Sequence, residues 1–363
     1  MKKLQMFNLK KRLQQATLGI LVFMMLISVP ASARQVKTDA PQTYTVKKGD
    51  TLWDIASVFL DEPWVWPELW RTNTQIQNPH LIYPGDVINL AFFNGQPVMS
   101  LKRDKPVIVL SPASRRSAKA VPIDILPASA IQPYIHHHHL VNEDTYQTLP
   151  YVLGNHHGNV RFVDDNLILS SLTNGTEDQL QVVRKQSTIY APDGEVLGVQ
   201  LTHIANTTRF SSAQDGVDVL RMTQSFQEAK RGDKLIPYTP DRMPDLHLQA
   251  AKQQQGVIVG DLHDHNLLGK YDVVIVNLGN ADVAPGMVMG VYTAGPDIID
   301  GKRPQYIDEP GGTDGLNLFS KKLAQPALKV GEIIIFKTFN KASYGLISRA
   351  SEGITKGFIV AKP

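Results

Sequence analysis

YTVKKGDTLWDIASVFL (residues 44–60) and NPHLIYPGDVINL (residues 78–90) decide the fold at the start of this 363-residue chain. The β-forming residues that open the first stretch predict a short strand, which Gly49 ends. Thr51 and Asp54 then have the spacing of a capping box at the start of a helix. Apolar residues recur at helical spacing on one face of that helix. These residues are Leu52, Ile55, Ala56 and Phe59.

The second stretch predicts a return loop and a closing strand. Pro84-Gly85 is typical of a turn, and Asp86–Leu90 has the composition of a strand. Between the two stretches, Pro67 suits the first turn of a second helix, because its missing N–H would be unpaired there anyway. Residues 43–91 therefore predict an α+β module of order βααβ, with both turn-forming loops at one end.

These two loops also carry a family resemblance. The sequences KKGDT (residues 47–51) and NPHLIYPGD (residues 78–86) occur in order within one compact segment, and residues 43–91 resemble a LysM domain. The resemblance implies binding of peptidoglycan or another N-acetylglucosamine-containing glycan in a groove between the loops. Backbone groups would bond the N-acetyl amide, and Leu81 and Ile82 would contact its methyl group. The alternative is that one of these two side chains faces the core, and we expect Leu81 rather than Ile82 to face outward. The implied glycan-binding residues are Gly49, Asp50, Thr51, Leu52, Asn78, Leu81, Ile82, Tyr83 and Pro84.

All the tryptophans of the chain lie in this segment, at positions 53, 64, 66 and 70. Aromatic side chains dominate the cores of very small domains, so we expect Trp53 and Trp70 to be buried. Trp64 and Trp66 lie in a proline-flanked turn. For these two, burial in the core and a stacking platform for sugar rings both stay open.

Residues 1–33 have the pattern of a cleaved signal peptide. Basic residues precede the apolar run Ala16–Val29, which is shorter than the ~20 residues that span a bilayer. Ala31-Ser32-Ala33 has the small residues of a cleavage site. We therefore expect cleavage after Ala33 and an exported chain without a stable membrane span. The chain has no cysteine, hence no disulfide and no lipid-bearing cysteine, and a Gram-negative periplasm suits these features.

The charge of the chain argues against a nucleic-acid partner. The full sequence has a formal net charge of +3, and loss of the five basic residues of the signal leaves a mature chain at −2. The basic character belongs to the export signal, so it predicts no nucleic-acid binding.

Residues 92–148 have the composition of a proline-rich basic linker. Prolines are frequent between Gln96 and Pro133, and they favour extended chain over helix. One interpretation is a basic arm that meets anionic groups of the cell wall. We favour a semi-rigid spacer that docks partly on its neighbour, because the apolar segments Val107–Leu110 and Val121–Leu126 argue against full solvation.

The sequence from residue 149 onward has patterns that predict a β-rich region with an internal repeat. YVLG at 151–154 and NLIL at 166–169 recur, 106 residues later, as VIVG and DVVI. Later Gly-containing markers recur in the same order. We predict two duplicated small β units, residues 149–237 and 255–363, the second with an exposed loop inserted at 293–330. The apolar runs Val273–Val276 and Ile333–Phe336 predict strands buried on both faces.

Histidines form the main competing signal. They occur at His136–His139, at His156-His157 and in His263-Asp264-His265. A His-x-His pair is found in lysostaphin-like zinc endopeptidases, which often accompany LysM domains, but those enzymes need an upstream His-x-x-x-Asp pair that this chain lacks. We therefore predict no metal site and no cofactor, and we assign the histidines to solvated turns and to the linker.

Together these patterns predict a non-catalytic, peptidoglycan-binding protein of the cell envelope, whose β-rich region meets another envelope protein. The absence of cysteine excludes a cysteine endopeptidase, and no serine lies in a nucleophile-elbow pattern. The alternative is a cell-wall hydrolase with an active site in the C-terminal repeats. A pocket with clustered carboxylates or histidines would favour that alternative.

Overall fold

A computed structural model describes most of the chain, in two compact units, Met1–Pro122 and Ile123–Pro363. The described residues are 36–66, 69, 82–93, 96–102, 126, 128–171, 177–212, 217–238, 246–300, 304–307 and 321–363. The expected signal peptide, Pro67 and Trp70, and the site residues Asn78 and Leu81 lie outside them. No helix within the described ranges is both long and apolar enough to cross a membrane.

The first unit has a three-stranded antiparallel sheet of order β1-β2-β3. Its elements are β1 (Thr43–Thr45), α1 (Leu52–Phe59), a 3-10 turn (Pro63–Val65), β2 (Val87–Phe93) and β3 (Gln96–Lys102). The backbone is helical again at Trp66 and Leu69. This order of strand, helix, helical segment and strand agrees with the βααβ module expected from the sequence.

Helix α1 is built as its sequence pattern predicts. Thr51 is the N-cap, and its hydroxyl accepts a hydrogen bond from the backbone N–H of Asp54 at 3.1 Å. The apolar face of α1 is buried, and Phe59 is fully enclosed. The other buried apolar side chains of the unit include Val46, Trp53, Leu60, Ile82, Ile88 and Met99. Burial of these apolar side chains is the main favourable contribution to the stability of such a small domain.

The structure corrects the expectation of a linker over residues 92–148. Strand β3 pairs with β2 from Phe93↔Gln96 to Val87↔Lys102, so this part of the segment belongs to the first sheet. Pro97 fits because β3 is an edge strand, where a missing N–H is tolerated. The far end belongs to the second unit as α2 (Ala128–His137), β4 (His138–Val141) and α3 (Glu143–Thr148).

The second unit contains a closed β-barrel, the first barrel, which follows α3. Its strands are β5 (Val152–Gly154), β6 (Arg161–Phe162), β7 (Leu167–Ser171), β8 (Gln179–Tyr190), β9 (Val196–Ser212), β10 (Val217–Ser225), β11 (Ala229–Lys230) and β12 (Lys234–Pro237). The sheet order is β12-β8-β9-β10-β7-β5, with β4 added to β9 and with β6 and β11 as a separate ribbon. Hydrogen bonds from Val152 N–H to Asp233 O (2.8 Å) and from Leu235 N–H to Pro150 O (2.8 Å) join the β5 edge of this sheet to the β12 edge. They thereby close the sheet into a barrel.

A second closed barrel follows. Its strands are β13 (Gln249–Ala250), β14 (Gly256–Asp261), β15 (Val273–Val276), β16 (Met287–Thr293), β20 (Leu328–Thr338), β21 (Ser343–Ala350) and β22 (Ile359–Ala361). The order is β13-β16-β20-β21-β15-β14-β22, and β22 pairs back onto β16, which closes the barrel. The predicted strands at Val273–Val276 and Ile333–Phe336 are buried at every residue, and this prediction is confirmed.

The segment expected to be an inserted loop, 293–330, contains a small sheet of its own. Strands β17 (Ile298–Asp300), β18 (Gln305–Tyr306) and β19 (Lys321–Leu323) pair in the order β18-β17-β19. Strand β20 already begins at Leu328. The proline and glycine content of the segment therefore marks turns between short strands as well as irregular chain.

The two barrels have the same strand connectivity. The closed sheet of the first barrel consists of β5, β7, β8, β9, β10 and β12, and that of the second barrel of β14, β15, β16, β20, β21 and β22. Numbered 1 to 6 along the chain, the strands of each barrel close in the order 1-2-5-4-3-6, with antiparallel neighbours. In each barrel the first two strands form a hairpin-like pair and the sixth strand returns to the first. This arrangement places the turn between the first two strands at one end of the barrel.

Candidate functional site

The first loop of the candidate glycan site is a tight turn at Lys47–Asp50. Gly49 has φ +96°, the positive value that the third residue of a type II turn requires. The Asp50 N–H donates to Lys47 O at 3.2 Å, and the Asp50 carboxylate accepts from Lys47 N–H at 2.8 Å. The Tyr44 hydroxyl donates to the same carboxylate at 3.0 Å. One aspartate thus holds the turn and ties it to β1.

The second loop repeats this construction at Tyr83–Asp86. Gly85 also has φ +96°, the Asp86 N–H donates to Tyr83 O at 3.0 Å, and the Asp86 carboxylate accepts from Tyr83 N–H at 3.0 Å. Pro84 occupies the second turn position, where its fixed φ is favourable. Each loop is therefore rigid for the same reason, an aspartate that closes a glycine-containing turn.

Backbone hydrogen bonds join the second loop to the strand that leads into the first. Val46 N–H donates to Asp86 O at 2.9 Å, and Gly85 N–H donates to Val46 O at 2.8 Å. Since Val46 directly precedes the first turn, the two Gly-Asp turns lie side by side. The structure thus brings together the described loop residues that the sequence assigned to one site.

The described residues of the predicted site differ in their exposure to solvent. Gly49 and Pro84 are exposed, and Asp50 and Tyr83 are partly buried. The remaining described members, Thr51, Leu52 and Ile82, are buried. The structure corrects the role of Ile82: its side chain is 0 % exposed and lies in the core, so it cannot contact a glycan methyl group without unfolding the loop.

The Tyr44–Asp50 contact also has an electrostatic effect. Desolvation of the Tyr44 ring, together with its hydrogen bond to the Asp50 carboxylate, raises the pKa of Tyr44 above its usual 10.0. The hydroxyl therefore stays protonated and remains a donor to Asp50 throughout the physiological range.

The tryptophans contribute to the core of the domain. Trp53 and Trp64 stack with ring centroids 6.5 Å apart, and Trp53, Trp64 and Trp66 are all buried. Burial of Trp53 was predicted. For Trp64 and Trp66, burial excludes the open interpretation of an exposed platform for sugar rings.

Comparison with known proteins identifies this segment. The family model of the LysM domain matches residues 44–91. Residues 44–91 are a LysM domain. Such domains bind peptidoglycan and related N-acetylglucosamine glycans, so the paired Gly-Asp turns lie in a glycan-binding domain.

A curated relative is an uncharacterized protein, YqbP, of Bacillus subtilis (strain 168). The two sequences are 41 % identical over 61 residues, which cover 14 % of this chain and 28 % of YqbP. The match is thus confined to a small part of each protein.

A second polar cluster lies in the second unit, where sequence reasoning assigned only solvated histidines. Asp261, His263 and His265 have potential ligand atoms within 4.8 Å of one another. The ring centroid of His138 on β4 lies 5.7 Å from that of His263. The His263-Asp264-His265 spacing was visible in the sequence, but its proximity to His138 depends on how the two barrels pack.

Proposed function

We propose that this protein is a non-catalytic peptidoglycan-binding protein of the cell envelope, with the LysM domain as its glycan-binding part. The observation that carries the proposal is the pair of Gly-Asp turns held side by side within residues 44–91. A glycan that crosses both turns would meet backbone amide and carbonyl groups on each.

The turns support this role because they are rigid before a ligand arrives. Gly49 and Gly85 have no side chain to cover the backbone, and no other atom lies within 4 Å of the position where a Cβ would stand. Asp50 and Asp86 already hold the loop conformations, so little ordering entropy is lost on binding. A shallow site of this kind binds a short glycan weakly, with a Kd of roughly micromolar to millimolar.

The apolar contact for the N-acetyl methyl group needs a new assignment within the described residues. With Ile82 in the core, the partly exposed Tyr83 and the exposed Pro84 are the apolar surfaces next to the second turn. We assign the methyl contact to these two side chains, with Leu81 and Asn78 as further contacts implied by the family resemblance.

The two barrels form the part of the protein that we propose contacts a second envelope protein. We further propose that they arose by duplication. Besides the common strand order, they share turn geometry at a constant offset of 106 residues: Asp165 and Tyr271 have φ 64° and 75°, and Gly158 and Asp264 have φ 71° and 61°. Positive φ is costly for a residue with a side chain, so its recurrence at matching positions supports a common origin.

We also propose that the protein is exported to the periplasm after cleavage behind Ala33. The basic start, the short apolar run and the small residues at 31–33 support this assignment. N-terminal sequencing of protein recovered from the periplasm should begin at Arg34. A protein that still begins at Met1 would refute cleavage.

A cell-wall hydrolase is the second candidate, because the cluster of Asp261, His263 and His265 is the kind of polar cavity that such an enzyme needs. One experiment separates the candidates. The full chain is incubated with purified sacculi, with and without added Zn²⁺, and both sedimented protein and released soluble fragments are measured. Sedimentation without release supports the binding role. Release that is lost in a His263→Ala variant supports the hydrolase.

A further inference from the structure

The turn between β14 and β15 holds two histidines and an aspartate in a fixed arrangement. The Asp261 carboxylate accepts hydrogen bonds from the backbone N–H of His263 at 3.0 Å and of His265 at 3.1 Å. Its Oδ2 also lies 3.3 Å from Nδ1 of His265. The aspartate is almost fully buried, while both histidine side chains are exposed.

The same turn in the first barrel shows that the fold does not require these residue types. There Asn155 Oδ1 accepts from the N–H of Asn159 at 2.9 Å, the same i to i+4 bond that Asp261 makes with His265. An asparagine is therefore sufficient to close the turn. The carboxylate at 261 and the imidazole at 265 add charge and ligand capacity that this turn does not need for folding.

A further imidazole approaches the turn from the first barrel. His138 is 92 % buried, and its Nδ1 has no hydrogen-bond partner among the described residues. A buried ring nitrogen without a partner is unfavourable unless it serves another purpose. The ring centroids of His138 and His263 are 5.7 Å apart, and those of His263 and His265 are 5.5 Å apart.

A polar cavity of about 140 Å³ lies at the turn between β14 and β15. Its lining includes Tyr134, Asp261, His263, His265 and Asp272. The carboxylates of Asp261 and Asp272 give the cavity negative charge. A cavity of this size, polarity and charge suits a hydrated cation.

We propose that Asp261, His263 and His265, with His138, form a binding site for a divalent transition-metal ion such as Zn²⁺. Two imidazoles that share a zinc ion at Zn–N distances of about 2.0–2.1 Å have ring centres roughly 5 Å apart. The two observed ring separations are close to that value, so small side-chain rotations bring the ligand atoms around one ion. Imidazole and carboxylate together select Zn²⁺ over Ca²⁺ or Mg²⁺.

Asp261 also orients one of the imidazoles. The Asp261–His265 contact matches the carboxylate–histidine pairing that orients metal-bound imidazoles and leaves the other ring nitrogen for the ion.

Contacts between the barrels hold the two sides of the site in place. The Gln186 side-chain amide on β8 donates to Leu262 O, in the turn between β14 and β15, at 2.7 Å. From the second barrel, Lys337 Nζ on β20 donates to Ile135 O at 2.7 Å and to His138 O at 2.9 Å. A metal ion at this junction would cross-link the barrels.

Isothermal titration of the full chain, produced without a polyhistidine tag, tests the site with Zn²⁺, Ca²⁺ and Mg²⁺ salts. We expect one Zn²⁺ per chain and no comparable binding of the other two ions. His263→Ala and His265→Ala should each weaken Zn²⁺ binding by about tenfold or more. Both side chains are exposed, so neither change should alter the fold.

His157→Ala is the matched control, since His157 is an exposed histidine in the corresponding turn of the first barrel. It should leave Zn²⁺ binding unchanged. Saturation with Zn²⁺ should also raise the melting temperature of the wild type and not that of His263→Ala. Absence of stoichiometric binding would overturn the proposal. So would equal binding by the wild type and His263→Ala, as expected if the histidine run 136–139 bound the ion alone.

Discussion

Replacement of Gly49 by leucine tests the glycan site most directly. Gly49 lies at the third position of the first turn with φ +96°, and open space surrounds the position of a Cβ. A Cβ at this position therefore meets no steric clash in the free protein. Its side chain would project over the turn and cover the backbone groups that we propose bond the N-acetyl amide.

The expected cost to folding follows from the backbone alone. The left-handed backbone conformation costs a residue with a side chain about 1–2 kcal/mol, and the open space around the Cβ position adds no clash of that atom. The variant should therefore remain folded but unfold more readily. Loss of the proposed backbone contacts should weaken glycan binding by about tenfold or more, equivalent to about 1.4 kcal/mol.

The first barrel offers a matched control for the strain. Lys230–Asp233 forms the same turn: Gly232 has φ +87°, no atom lies within 4 Å of its Cβ position, and Asp233 accepts from Lys230 N–H at 2.7 Å. Gly232→Leu should therefore carry a similar strain but leave glycan binding intact. Both variants are compared with wild type by thermal circular dichroism and by co-sedimentation with purified sacculi.

Two outcomes would refute this reasoning. Undiminished sedimentation of a folded Gly49→Leu protein would place the glycan site away from the first turn. An equal loss of sedimentation in Gly232→Leu would show that the effect arises from general destabilisation. A selective loss in Gly49→Leu alone is the expected result.

Three further predictions concern stability. Thr51→Ala removes the N-cap of α1 and should lower the free energy of unfolding of the LysM domain by about 1 kcal/mol in urea titrations, whereas Thr51→Ser should retain it. Arg184→Ala breaks the paired 2.8 Å hydrogen bonds to the buried Asp233 carboxylate and should lower the free energy of unfolding by about 2–4 kcal/mol. A decrease below about 0.5 kcal/mol in guanidinium unfolding would contradict this prediction. Tyr344→Phe removes a buried hydroxyl without a hydrogen-bond partner among the described residues, and calorimetry should show unchanged stability or a gain of up to about 1 kcal/mol.

Local patterns in the sequence were sufficient where the physical cause is local. The spacing of Thr51 and Asp54 predicted the cap of α1, and the apolar periodicity after it predicted the buried face. The continuous apolar runs likewise predicted that Val273–Val276 and Ile333–Phe336 are buried strands. Hydrogen bonds within one turn and solvent exclusion from one face are encoded by neighbouring residues.

Predictions failed where two signals competed. Prolines suggested an extended linker after residue 92, but Asn94-Gly95 between apolar flanks is also a strong hairpin signal, and Phe93 and Gln96 on either side of it do pair. In the second loop, Leu81 and Ile82 are adjacent apolar residues. The alternative that one of them faces the core, with Ile82 expected inward rather than Leu81, agrees with the burial of Ile82, so its place among the glycan contacts was wrong.

The histidine cluster shows a different limit. His138 and His263 are 125 residues apart, and their approach depends on how α2 and β4 cover the first barrel and how the second barrel packs beside them. No local sequence pattern predicts this packing. Asn155 and Asp261, 106 residues apart, each accept an i to i+4 hydrogen bond in a turn, but this spacing could not show that His263 lies near His138.

The burial of tryptophan in the LysM domain also supplies an internal optical label. Trp53 and Trp64 stack in the core, and all tryptophans of the chain lie between positions 53 and 70, so indole emission reports on that domain alone. Far-ultraviolet dichroism is dominated by the strands of the barrels. Chemical denaturation followed simultaneously by both signals would therefore reveal, without any engineered probe, whether the two units lose their structure at the same denaturant concentration or separately.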